Sequence, residues 1–286
     1  MPLVWYVTGT SSGLGRELVQ ILSDRGEMVI ATARSLEKIQ DSWHRNPRIR
    51  LQQLDVTEGV ASIKAKVEEA MTFFGRIDVL VNNAGTGVVG LTEEGGSALV
   101  REQFDVNFFG QIDVTQAVLP HMRAEKSGTI VFLGSRSSWS PENIVSTGIY
   151  GASKGALRIL AESLAQEVAP FAIRVLIVEP ALVRTNILEG PGWRGTPIPE
   201  YDEIKKPSNG KPQKPALPND PKKVMGAVVD VVTGEGKAKG RPWPLYLPLG
   251  PETETTIRKK CATMMEVVEE WKDITRDTRL EDKNLS

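Results

Sequence analysis

The chain has 286 residues, 35 basic and 36 acidic, for a net charge of −1, with 40% hydrophobic and 25% charged residues. That composition suits a globular protein long enough for a substantial core, and the balanced charge provides no global field to recruit nucleic acid or an anionic membrane. The lone Cys261 excludes an intramolecular disulfide and a multi-cysteine zinc site, and with only His44 and His121 besides no metal centre is expected.

From Met1 the chain runs straight into an apolar stretch, residues 3–8, which reads as a buried strand. No signal-peptide pattern precedes it, and no run approaches the roughly 20 apolar residues of a membrane span, so a cytoplasmic protein is expected. Residues 14–26 read as a helix closed by glycine, 28–33 as a second strand, and a short helical piece starts at Ser35. A third strand is expected over 49–56, a helix over 60–75, and a fourth strand ending in a glycine turn over 77–85. A long helix over 97–122 follows, with Pro120 near its end, then a fifth strand over 128–135. Residues 150–170 form an amphipathic helix with Leu157, Leu160, Leu164 and Val168 on one stripe, and 173–180 a sixth strand. Such alternation predicts an α/β fold: a doubly wound parallel sheet of about seven strands with helices on both faces, in three α/β/α layers. Ligands of such sheets bind beyond the carboxyl ends of the strands, where the glycine- and hydroxyl-rich turns fall.

After Pro180 the texture changes. Residues 191–221 hold eight prolines with little periodicity, which a linker or a substrate loop would explain. Helix and strand patterns resume at 221–233 and 244–250, returning the chain to its body and favouring a substrate loop over about 186–221. A C-terminal helical extension from about 252, ending in a charged tail, completes one domain over 1–286. Trp193, Tyr201 and Trp243 lie in or near the loop, either as pocket lining or as packing. His44 and His121 sit in polar surroundings and read as surface residues, and Cys261 as a half-buried helix residue.

The first strand is followed by TGTSSGLG, residues 8–15. Its glycines, Gly9, Gly13 and Gly15, permit a tight turn and close backbone approach. Together with Ser11, Ser12 and Leu14 they lead into a helix N-terminus that suits a pyrophosphate. The spacing is G-x-x-x-G-x-G rather than the commoner G-x-G-x-x-G. Further on, Tyr150 lies four residues before Lys154, about one helical turn, so both side chains can share a face. An ammonium near a phenol favours the phenolate. The pair reads equally as a tuned acid/base or as ordinary helix neighbours.

Five motifs in order resemble the classical short-chain dehydrogenase/reductases, over residues 3–185. TGTSSGLG resembles their cofactor turn, and Asn82, Asn83, Ala84 and Gly85 the motif ending their fourth strand. Asn107 matches their structural and proton-relay asparagine, Ser135 their catalytic serine with Ser137 as the fallback, and Tyr150 and Lys154 their YxxxK. Two departures stand out: the interval from Ser135 to Tyr150 is slightly long, and the family's Pro-Gly is here Pro180-Ala181. The resemblance implies that Pro180, Val183 and Thr185 border the nicotinamide, and that Asp55 and Val56 line the adenine pocket.

An NAD enzyme would carry an acid after its second strand to bind the ribose hydroxyls. Here Ala33 is followed by Arg34, which can pair with a 2′-phosphate bidentately. NADP(H) is therefore the expected cofactor, with NAD(H) left open. The implied reaction interconverts a secondary alcohol and a ketone or aldehyde by hydride transfer. Tyr150 is the acid/base, Lys154 lowers its pKa, Ser135 binds the substrate oxygen and Asn107 anchors a water relay. Epimerisation or dehydration on the same scaffold, and a catalytically idle NADP-binding sensor, stay open beside it. The loop's prolines and aromatics suggest a mid-sized apolar carbonyl or alcohol substrate. The resemblance also implies a homodimer or homotetramer built on the helices at 97–122 and 150–170.

Overall fold

The computed structural model describes residues 1–139, 145–185, 192–205 and 217–279. Its strands are β1 (Val4–Val7), β2 (Met28–Ala33), β3 (Ile49–Gln53), β4 (Val79–Asn82), β5 (Gly128–Leu133), β6 (Ile173–Pro180) and β7 (Tyr246–Leu249). They form one sheet in the order β3-β2-β1-β4-β5-β6-β7, and every pairing is parallel. The central strands β1 and β4 are buried on both faces, which is why they read as continuous apolar runs rather than alternating ones. The expected fold class is the observed one.

The helices are α1 (Gly13–Asp24), α2 (Gln40–Trp43), α3 (Val60–Phe74), α4 (Thr92–Phe104), α5 (Gly110–Glu125), α6 (Gly148–Val168), α7 (Asp202–Lys205), α8 (Pro221–Thr233), α9 (Pro251–Glu270) and α10 (Lys272–Arg276). On one face Leu18 and Leu22 of α1 and Met225 and Val228 of α8 close over Trp5, Val7 and Val29. On the other, Ile63 of α3, Val114 of α5 and Leu157 of α6 close over Tyr6, Ile30 and Phe132. Each such side chain, fully withdrawn from water, contributes about 1.5–3 kcal/mol against the chain entropy. Local chemistry sets the ends. Gly75 terminates α3 in the left-handed region at φ 75°, a conformation that strains residues with a Cβ. Asp220 caps α8 by accepting from the Lys222 N–H at 2.8 Å, with Pro221 in the first turn.

Several boundaries differ from the sequence reading. The helix expected over 97–122 is preceded by a short helical stretch from Thr92 that breaks at Gly96, where φ is 55°, and it is interrupted by a π-turn, Asp105–Phe109, before continuing as α5 with Pro120 inside it. The expected strand 49–56 ends at Gln53. Cys261 is exposed rather than half-buried, because α9 leaves the body after its first two turns. Of the expected substrate loop, 192–205 and 217–221 are described; its remainder and the tail beyond 279 lie outside the described residues. No helix among the described residues is long and apolar enough to cross a membrane.

The strand order reverses between β1 and β4, where the chain leaves β1 toward one flank of the sheet and β4 toward the other. A crevice opens at the carboxyl ends of strands at such a point. The turns after β1, β4, β5 and β6 all converge there.

Candidate active site

Beyond β1 the backbone turns sharply into α1. Gly9 has φ +71°, and a Cβ on it would lie 2.7 Å from the Ala84 Cα. A Cβ on Gly15 would lie 2.4 Å from the Gly9 carbonyl. Thr8 locks this turn to the end of β4: its hydroxyl accepts from the N–H groups of Asn83 at 3.0 Å and Ala84 at 2.9 Å. The Asn83 amide in turn donates to the carbonyls of Thr8 at 2.8 Å and Gly9 at 3.0 Å. Asn83 thus shapes the turn rather than presenting its side chain to a ligand.

Ser12 is the N-cap of α1, yet its exposed hydroxyl makes no capping bond, and no acid stands in the first turn. The first N–H groups and the positive end of the helix dipole are left for an anion. Ser11 and Leu14 flank that opening half-buried. Thr185, after β6, faces the turn: a Cβ on Gly13 would lie 3.5 Å from its Cβ. Pro180 ends β6 buried, while Val183 is packed into the core. Ala181, in the family's glycine position, has no positive φ, and its Cβ is accommodated by Gly250, where a Cβ would lie 2.7 Å away.

At the far end of the crevice Arg34 follows β2, exposed, its guanidinium without a hydrogen bond or ion pair among the described residues. Only its carbonyl is engaged, by Gln53 Nε2 at 3.3 Å. Asp55 accepts from the N–H of Thr57 at 2.9 Å and its hydroxyl at 2.8 Å. Val56 is buried against the start of α5, where a Cβ on Gly110 would lie 2.6 Å from its carbonyl.

The reactive side chains gather between these ends. Ser135 caps a short 3-10 turn, Arg136–Ser138, its hydroxyl accepting from the Ser137 N–H at 3.1 Å. Burial pushes the Tyr150 phenol above its ordinary pKa, and the Ser135 side chain beside it pulls the other way. One turn later on α6, Lys154 is 3% exposed and donates to the Leu133 carbonyl at 2.6 Å. Burial pushes its ammonium down to about 8.

Asn107 sits in the π-turn, fully buried. Its carbonyl oxygen accepts from the Thr86 N–H at 2.9 Å, and its amide donates to the Thr86 carbonyl at 2.9 Å and to Ser153 Oγ at 3.2 Å. Ser153 donates to the Tyr150 carbonyl at 2.7 Å. Asn107 therefore ties the end of β4 to the first turn of α6. Between them lies Gly85, where a Cβ would be 3.3 Å from Asn107 Oδ1 and 3.7 Å from Lys154 Nζ.

Sequence reasoning passed over three contributors. Ser153 lies inside the tyrosine–lysine interval, and its i to i+3 relation to Tyr150 was the available signal. Glu179 is buried beneath the serine turn, accepting from Ser138 Oγ at 3.1 Å and from the Trp139 indole; burial pushes its carboxyl up. The third is a set of acids on α4. Glu102 binds Arg194 with a second contact at 2.9 Å, Glu93 accepts from the Tyr201 hydroxyl, and Glu94 holds Lys205 and the Ile198 N–H at 2.7 Å. Of the loop aromatics, Trp193 pairs through its backbone with Val89, whereas Trp243 donates to the Val175 carbonyl at 2.9 Å and serves packing. His44 and His121 bond to Gln40 and Glu68, away from the crevice.

Residues 4–191 match the short chain dehydrogenase family. A 3-ketodihydrosphingosine reductase from Bacteroides thetaiotaomicron is 36% identical over 188 residues, 66% of either chain. A short-chain dehydrogenase from Streptomyces avermitilis, known as a crystal structure, is 34% identical with a TM-score of 0.82, covering 98% of this chain and 100% of that one. A serine dehydrogenase crystallised in a closed form with NADP+ is 27% identical with a TM-score of 0.72, covering 88% and 96%. The chain belongs to the short chain dehydrogenase family of oxidoreductases.

Proposed function

We propose that the protein is an NADP(H)-dependent oxidoreductase that interconverts a secondary alcohol and a ketone or aldehyde. The observation that carries this reading is Ser135 acting on the Tyr150 phenol with Lys154 buried one turn away, beside Gly85 at the end of the β4 turn. The crevice fits a nicotinamide dinucleotide. Its cradle would be filled by a Cβ at Gly9 or Gly15, and the α1 N-terminus with Ser12 suits the pyrophosphate. Arg34 would hold a 2′-phosphate, Asp55 and Val56 the adenine side, and Thr185 with the Pro180–Val183 segment the nicotinamide side. The NADP+ bound by the serine dehydrogenase supports the phosphorylated form.

A bound nicotinamide ring supplies or accepts the hydride. In reduction Tyr150 gives its phenolic proton to the substrate oxygen; in oxidation it takes that proton back. Burial keeps the proton on Tyr150 at neutral pH, which suits an acid. Ser135 donates a hydrogen bond to the same oxygen, where negative charge gathers during reduction. Lys154, still cationic below about pH 8, lowers the cost of the phenolate left behind. Asn107 holds Thr86 and Ser153 in register and anchors the water path that returns a proton past Gly85. The substrate is a mid-sized apolar carbonyl compound received under the 192–205 loop, in keeping with the 3-ketodihydrosphingosine named for the Bacteroides relative.

The test is NADPH oxidation against ketones, aldehydes and quinones, with Tyr150→Phe and Ser135→Ala alongside. Tyr150→Phe is expected to lower turnover on the order of 10²–10⁴-fold while NADPH binding persists. Turnover undiminished in Tyr150→Phe would remove the mechanism.

A further inference from the structure

β6 ends at Pro180, and from there the backbone polar groups need partners outside the strand ladder. Ala181 donates its N–H to the Leu249 carbonyl, at the end of β7, at 2.8 Å. The next partners come from one residue, Asn219, which lies 37 positions beyond Leu182 and just ahead of α8. Its backbone N–H and its side-chain amide both donate to the Leu182 carbonyl, at 3.3 and 3.0 Å. Its own carbonyl accepts from the Arg184 N–H at 3.1 Å. Val183 and Asn219 thereby form a parallel bridge outside the seven strands.

An amide nitrogen carries two hydrogens, and on Asn219 both are engaged. The second is donated at 3.1 Å to Glu252 Oε2, in the first turn of α9. The Asn219 amide, followed by the Glu252 N–H, holds the Glu252 carboxyl below its ordinary pKa, so the acceptor is charged at neutral pH. Charge-assisted hydrogen bonds are the stronger kind, and with acceptors on both sides the amide has one orientation. Gly250 leaves room for the pair: a Cβ there would lie 3.0 Å from Asn219 Oδ1 and 3.2 Å from Glu252 Oε2. One side chain thus ties the start of α9 to the backbone that carries Thr185. Thr185 in turn faces the start of α1, where a Cβ on Gly13 would lie 3.5 Å from its Cβ. The joint also closes the base of the loop that leaves after Thr185. Yet among the described residues every bond of Asn219 goes to Leu182, Arg184 or Glu252, and none to the loop.

We propose that Asn219, locked by Glu252, is a positioning residue for the nicotinamide half of the cofactor, holding residues 182–185 opposite the start of α1. The proposal rests on the NADP(H) reading of the crevice, and both residues act through that backbone rather than on the reacting atoms.

Calorimetric titration of the full-length protein with NADPH and with 2′,5′-ADP, which lacks the nicotinamide half, tests this. Asn219→Asp keeps the size of the side chain but turns both donors into an acceptor facing the Leu182 carbonyl and Glu252. Its Kd for NADPH should rise at least severalfold, the range of one or two hydrogen bonds. Its Kd for 2′,5′-ADP, which also reports a folded crevice, should stay near the parent's. Asn219→Ala, which adds no charge, is the milder second variant and should shift NADPH in the same direction. Glu252→Gln still accepts from the Asn219 amide and should match the parent with both ligands, whereas Glu252→Lys sets donor against donor and should follow Asn219→Asp. A parent protein that does not bind NADPH would overturn the cofactor reading and the proposal with it. A parent that binds both ligands, with the Asn219 variants weakening neither or weakening both alike, would overturn the proposal alone.

Discussion

In the proposed mechanism Lys154 is the residue on which the chemistry turns with pH. Its ammonium is held at about 8 by burial, below the ordinary lysine value, so the cation is present below that pH and lost above it. Because the phenolate formed as Tyr150 gives up its proton leans on that cation, kcat/KM for ketone reduction should fall as pH rises through about 8. Lys154→Arg keeps a charge that does not titrate in this range, so the limb should vanish whatever the remaining rate. A limb unchanged in Lys154→Arg would assign it to another group. At the other end of the crevice, the Arg34 guanidinium has no hydrogen bond or ion pair among the described residues. Hydrogen bonds to charged groups are worth about 1.5–3 kcal/mol. Arg34→Ala should therefore raise KM for NADPH roughly tenfold to a hundredfold while leaving KM for NADH nearly unchanged; an equal effect on both would remove the 2′-phosphate assignment.

At the scale of elements, the segment from α4 to α5 shows how far a pattern can be followed. A one-dimensional pattern reads 97–122 as a single helix, since a π-turn differs from its neighbours in hydrogen bonding and leaves no distinctive residue type behind. Yet that turn is what points Asn107 inward to Thr86 and Ser153. The turns after β1 and β5 were legible because glycine and serine requirements there are local. The acids of α4 were not, because their partners lie about a hundred residues away in a stretch without periodicity. Those acids have a consequence for binding. Glu94 is held below its ordinary pKa by Lys205 and the Ile198 N–H, and the Gly195 backbone comes close enough that a Cβ would lie 2.4 Å from the Glu94 carbonyl. The 192–205 segment is thereby fastened over α4 beside the catalytic turn. Lys205→Met and Arg194→Met should each raise substrate KM severalfold with kcat little changed, and rising salt should mimic Arg194→Met, whose pair is exposed. A KM indifferent to both substitutions would mean that this segment does not meet substrate.

At the scale of the whole molecule, the crevice is assembled from segments that are distant in sequence. Gly9, Arg34, Asp55, Ala84, Ser135, Lys154 and Thr185 come from the ends of six parallel strands or the helix that follows, on both sides of the reversal in strand order. No single segment makes the site, so a ligand lying along it bridges the two halves of the sheet and stabilises the fold as a whole. NADPH at a hundredfold excess over its Kd contributes about 2.7 kcal/mol, a rise in Tm of about 4–5 °C for a chain of this size at about 2.1 cal/mol/K of unfolding entropy per residue. Gly9 is where that linkage is most exposed to a single methyl group. Its φ of +71° and the 2.7 Å approach to Ala84 make Gly9→Ala strained in both backbone and packing, at a cost of about 1 kcal/mol or more. Thermal scans with and without NADPH separate the two effects. Gly9→Ala should melt lower than the parent without nucleotide and should also lose most of the nucleotide-dependent rise, because the turn proposed to receive the pyrophosphate is the turn that is strained. A variant that melts lower but keeps the full rise would mean that Gly9 serves the fold alone, and that the pyrophosphate is held by the α1 N-terminus without help from the turn before it.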